Sequence, residues 1–91
     1  MIAGINDDKA VRYEGAAEIL NMMLAHNTRA LADEEGKAKP NAKRLDALNA
    51  ERQTLLAERR TLDPDDAKAI DHVYADYAPV VKRRFANSQA A

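Results

Sequence analysis

The residues best suited to acid–base or metal chemistry in this chain are two histidines, His26 and His72. Asp76 follows His72 by four positions, which on a helix is the same face and half of a metal site. Zinc needs three or four clustered ligands, so a packed or solvated histidine is the simpler account and no metal is expected. Asp63, Asp65 and Asp66 have a superficial calcium-loop look. A calcium loop of the EF-hand type also needs a glycine at its turn and a glutamate at its end, and both are missing. Helix capping explains these acids better. Glycine occurs only at positions 4, 15 and 36, so there is no phosphate-binding glycine loop. Ser88, the single serine, lies three residues from the C-terminus and leaves a serine triad without support. Cysteine is absent, which removes disulfides, thiolate metal sites and a thiol nucleophile. The chain is therefore expected to be no enzyme, with no catalytic residues and no cofactor.

The elements that would carry any site follow from composition. The chain has 91 residues and a formal net charge of −1. Nineteen residues are alanine, and only 23 are large and apolar. Alanine buries little surface but is the best helix former. The expected fold is therefore all-α with a thin core, and small cores often need oligomerisation. Three helices are expected, at about 7–35, 41–62 and 64–87. Asn6 or Asp7 would cap the first, and Gly36 would stop it. Its apolar stripe is Tyr13, Ala16 or Ala17, Leu20, Met23 or Leu24, Asn27 and Leu31. Gly15 is an unfavourable interior residue, and His26-Asn27-Thr28 offers a place to break. Asp33, Glu34 and Glu35 carry the wrong sign for the end of a helix. Pro40 or Asn41 would open the second helix. Asp63 would cap the third, with Pro64 in its first turn. Pro79 would kink that helix, and about four terminal residues would fray. Short connections then imply an up-down-up three-helix bundle, or a hairpin with a third helix docked beside it, expected to be oligomeric.

Charge and apolar residues suggest where a partner would bind. Leu45, Leu48, Arg52, Leu55, Arg59 and Leu62 recur in steps of three and four, a heptad seam with arginine at two inner positions. Tyr74, Tyr77 and Phe85 share a face of the third helix with Ile70, Val73 and Val81. Aromatic residues and arginine dominate interface energetics. The expected interaction surface is therefore Leu45, Leu48, Arg52, Leu55, Arg59, Tyr74, Tyr77 and Phe85. Met22 and Met23 would serve as core or as a soft contact surface. Positions 29–46 hold five basic and four acidic residues, and with Lys82, Arg83 and Arg84 give one end of an up-down-up unit +4. The opposite end carries −5. Lys37, Lys39, Lys43, Arg44, Lys82, Arg83 and Arg84 thus form a candidate anion or nucleic-acid patch.

Arg29-Ala-Leu-Ala-Asp-Glu-Glu-Gly-Lys-Ala-Lys39 is similar to the segment that leaves the first helix in the small all-helical chorismate mutases. Those enzymes have about this length, three helices and an intertwined dimer. The resemblance implies a dicarboxylate site, with Arg12, Arg29, Lys39, Arg52 and Gln89 at the nearest positions. In a gap-free comparison Lys39 matches directly, whereas the arginine positions fall on Val11, Thr28 and Glu51. A one-residue shift recovers the arginines and loses the lysine.

The reading favoured by these residues is a small protein-interaction module of adaptor, inhibitor or antitoxin-like type. It would bind a protein partner or a second copy of itself as a homodimer. Nucleic-acid binding through the basic patch is the alternative. No basic leader and no membrane-length apolar run are evident, so a soluble, cytoplasmic protein is expected.

Overall fold

A computed structural model describes the backbone of residues 3–90 and the side chains of residues 8–86. The chain is all-helical, and no strand occurs among the described residues. Helix α1 spans Ala3–Glu35, α2 Ala42–Thr61 and α3 Ala67–His72. A π-helical turn, Val73–Tyr77, joins α3 directly to α4, Ala78–Ala90, so these three segments form one third arm.

Several ends differ from expectation. Helix α1 begins before Asn6 and Asp7, so neither is its cap. The helix also runs unbroken through His26-Asn27-Thr28. Asparagine interrupts helices by bonding its own backbone. Here the Asn27 amide nitrogen donates instead to the Leu48 carbonyl and to Glu51 Oε1, each at 2.8 Å. Gly36 ends α1 without a positive φ, and its N–H donates to the Ala32 carbonyl at 3.0 Å. Asn41 caps α2, accepting from the Arg44 N–H at 3.0 Å. The third arm starts three residues later than expected. Asp63 turns its carboxylate to the Asp65 N–H at 2.7 Å, and Asp66 is the cap, accepting from the Ala69 N–H at 3.1 Å. The arm remains helical to Ala90, through residues expected to fray.

Pro79 acts through the turn before it. The Ala78 N–H donates to the Val73 carbonyl, five residues back. A proline removes one donor from an α ladder. The widened turn shifts the bonding register at that point, and the helix continues beyond it.

The long α1 is the spine, and two contact series give the packing directions. Asn21 meets Arg59, Asn27 meets Glu51, and Thr28 meets Arg52, so α2 runs back along α1. Lys9 meets Asp65, Arg12 meets Asp71, and Met23 meets Arg84, so the third arm runs with α1. The core lies where the three overlap. Ala16, Ala17, Leu20 and Met23 of α1 pack with Leu55, Leu62, Ile70 and Val73. Three helices in this layout make a flat body of 60 × 30 × 17 Å.

Gly15 has a tertiary purpose. A Cβ built there would overlap the Tyr74 hydroxyl and lie 3.2 Å from Tyr74 Cζ. That hydroxyl donates to the Arg12 carbonyl at 3.2 Å, and the Arg12 guanidinium lies 5.0 Å from the Tyr74 ring centroid. Alanine in an exposed helix interior would gain ~1 kcal/mol over glycine. Here the crowding should outweigh that gain, and Gly15→Ala is expected to destabilise by ~1–3 kcal/mol, the range for overpacking. In a Tyr74→Phe background most of the loss should vanish. Urea unfolding of the four-variant cycle measures this coupling.

Candidate functional site

The heptad seam of α2 faces inward. Leu48 is 4% exposed and Leu55 1% exposed. Leu62 is also buried, and Leu45 is half-buried. The two seam arginines reach α1: Arg52 donates to Thr28 Oγ1 at 2.9 Å, and Arg59 to Asn21 Oδ1 at 3.2 Å. These contacts correct the expectation that the seam presents Leu48 and Leu55 to a partner. The seam holds α2 on α1, and arginine suits it because its long stem packs while its head bonds at the rim.

On the third arm, Tyr74 and Tyr77 are half-buried, whereas Phe85 is 59% exposed. A stripe counted at 3.6 residues per turn puts Phe85 inside. The π turn takes more residues per turn, so that count loses phase across it. Arg84 turns inward instead, with Nη1 3.9 Å from Met23 Sδ.

Glu58 of α2 links to the third arm through both carboxylate oxygens. His72 Nε2 lies 2.9 Å from Oε1, and the Tyr77 hydroxyl donates to Oε2. The other ring nitrogen of His72 lies 2.6 Å from Asp76 Oδ2. The pairing of His72 with Asp76 is thus real, but the two carboxylates sit on different ring nitrogens. No group of three or more candidate ligands among the described residues is placed to hold a metal. Burial, with the adjoining Glu58 carboxylate, pushes the Tyr77 hydroxyl well above its ordinary range, which keeps it a donor.

The basic residues differ in their surroundings. Lys37 pairs with Glu34 at 3.0 Å, and Lys39 and Lys43 are exposed around the α1–α2 turn. Arg84 sits beside Met23, twelve positions before the end of α1, or ~18 Å along its axis. Arg44 and Arg84 do come together. They line a cleft of about 320 Å³ between α2 and α4, floored by His26, Asn27 and Ala30 of α1 and walled by Leu48 and Glu51. Asn27 is 1% exposed, and its Oδ1 is the buried side-chain oxygen without a partner among the described residues. Neither Asn27 nor Glu51 stands out as a binding residue in the sequence. The available signal is an asparagine inside an otherwise apolar stripe.

Glu34 closes the α1–α2 turn from within. Its Oε2 accepts the Asn41 N–H at 2.9 Å, and its Oε1 meets Lys37 Nζ at 3.0 Å. Because it reaches the start of α2, its charge is favourable despite its place at the end of α1. The backbone N–H of Asn41, then Lys37, hold its carboxyl below the ordinary value of 4.5. A depressed carboxyl adds stability above the unfolded value and loses it as pH falls through the folded one. Glu34→Gln is therefore expected to lower Tm at pH 7. The gap to wild type should narrow on acidification to pH 3, as followed by circular dichroism.

The positions suggested by the mutase resemblance are separated within the chain. Arg12 pairs with Asp71 at 2.7 Å, Arg52 bonds Thr28, and Arg29 is exposed on α1. Arg12 and Arg29 lie ~25 Å apart along one continuous helix. The side chain of Gln89 lies outside the described residues. Among the described residues no helix is long and apolar enough to cross a membrane. Set against family models, curated proteins and solved structures, the chain matches none of them.

Proposed function

We propose that this chain is a small non-enzymatic interaction module that binds a protein partner or a second copy of itself through α4. The observation that carries this reading is Phe85, an aromatic ring 59% exposed on a protein with only 23 large apolar residues. Exposed aromatics near arginine are favoured anchors, and the exposed Arg83 lies two residues before Phe85. The leucine seam of α2 has no part in it, since α1 already covers it. Nucleic-acid binding is less favoured because Lys37 is neutralised by Glu34.

Affinity capture from native extract, with wild-type and Phe85→Glu baits and with and without nuclease, tests the proposal. The expected result is a stoichiometric protein, this chain included, that survives nuclease and is lost with the variant. Capture that disappears with nuclease would replace the proposal with the nucleic-acid reading. Capture unchanged by Phe85→Glu would remove α4 as the binding face.

A further inference from the structure

The third arm packs on the body with one side and leaves the other open. Its inner positions include Ile70, Val73, Tyr77, Val80 and Val81, which belong to the central cluster or pack against it. Its exposed positions Ala75, Asp76, Pro79, Lys82, Arg83 and Ala86 recur in steps of three and four and form one outer face. Phe85, one helical turn from Lys82, stands at the border of that face.

The outer face carries acid at its start and base at its end. The Asp76 side chain is 60% exposed and meets His72 through Oδ2. Lys82 and Arg83 pair with no described carboxylate. Neither has an acid three or four positions away on its own helix, where a partner would stand. Asp76 and Arg83 are seven positions apart, ~10 Å along the axis, too far to meet within one chain.

We propose that this face pairs with the same face of a second copy, turned end for end about a twofold axis beside Pro79. Such an axis sets Asp76 of each copy opposite Arg83 of the other, with Lys82 alongside, so one operation makes two ion pairs. It also brings each Phe85 ring toward Ala75 of the other copy, where a small side chain leaves room. A parallel copy would set acid on acid and base on base. An acidic partner of another kind would match Lys82 and Arg83 but be repelled at Asp76. Exposed ion pairs alone contribute little, and the Phe85 ring, 59% exposed, adds the apolar burial they lack. One helix face buries less than the ~800 Å² per partner of a standard interface, so the dimer is weak and reversible. The inference rests on the α4 interaction reading and names its partner.

Sedimentation equilibrium of the full chain up to ~1 mM, the range of weak association, tests it. A reversible monomer–dimer equilibrium is expected, weakened by added salt. Arg83→Asp should raise the dissociation constant at least tenfold, because it faces Asp76 with like charge. Adding Asp76→Arg to that variant should restore dimerisation to within threefold of wild type. Circular dichroism checks that each variant keeps its helical signal. If the double variant does not fold, Pro79→Cys in this cysteine-free chain takes its place, and oxidation should link two copies across the axis. The inference is overturned by a chain that stays monomeric or by a dimer indifferent to Arg83→Asp. A double variant that folds without recovering, or a Pro79→Cys chain that stays unlinked, overturns it as well. The α4 reading fails separately, when capture of a protein is unaffected by Phe85→Glu.

Discussion

Replacing Leu48 and Leu55 together by glutamate is expected to unfold the protein. Leu48 is 4% exposed and Leu55 1% exposed, and Leu55 touches the central core cluster. Truncating one such leucine to alanine costs ~2–5 kcal/mol. A buried unpaired carboxylate costs more than a cavity. Two of them exceed the ~5–15 kcal/mol that a domain has in total, and a core this rich in alanine leaves little reserve. Far-UV circular dichroism at 25 °C should lose its helical signal, and size exclusion should show an expanded or aggregated chain. A helical variant with only a reduced assembly mass would contradict the inward seam. It would mean that a second chain, rather than α1, covers these leucines.

Asn27→Asp should have the second largest effect. The substitution removes the side-chain donor to the Leu48 carbonyl and Glu51 Oε1. It places a carboxylate against two acceptors at a position 1% exposed. Breaking a buried polar pair in this way costs ~3–5 kcal/mol. Asn27→Ala should cost less, ~1–3 kcal/mol, because it strands partners without adding charge. The two variants should also differ in pH response. Like charge and burial raise the carboxyl pKa of the new aspartate. Its penalty is then full at pH 7 and shrinks as pH falls through that raised value. Urea unfolding at pH 7 and pH 5 measures this narrowing. An equal loss for both variants at both pH values would show that Asn27 acts by volume alone.

The stripe of α1 was legible because burial on a helix has a fixed period. Ala16, Ala17, Leu20, Met23 and Asn27 are all buried, as their spacing predicts. The α2 seam was equally legible as a stripe. A heptad gives the face that is covered and leaves open what covers it, so a partner and α1 fit the same pattern. Phe85 parts from the buried face of Ile70 and Val73 for a different reason. Its assignment extrapolated one helical period across Pro79, and the π turn breaks that period. The third-arm cap moved from Asp63 to Asp66 because both residue types cap well. Local propensity does not choose between two aspartates three residues apart.

Residue types and their spacing alone establish an all-helical chain, the positions of its main turns and the apolar face of each long helix. Those properties depend on contacts within about four residues, and such contacts are written in local order. The site is set differently. Asn27 meets Glu51 across 24 positions, Tyr74 meets Arg12 across 62, and Met23 meets Arg84 across 61. Only the mutual packing of the helices brings these residues together. That packing turned Gly15 from a helix weakness into a seat for Tyr74 and Glu34 from a misplaced charge into the closure of a turn. It also set two arginines of distant sequence, Arg44 and Arg84, on one cleft.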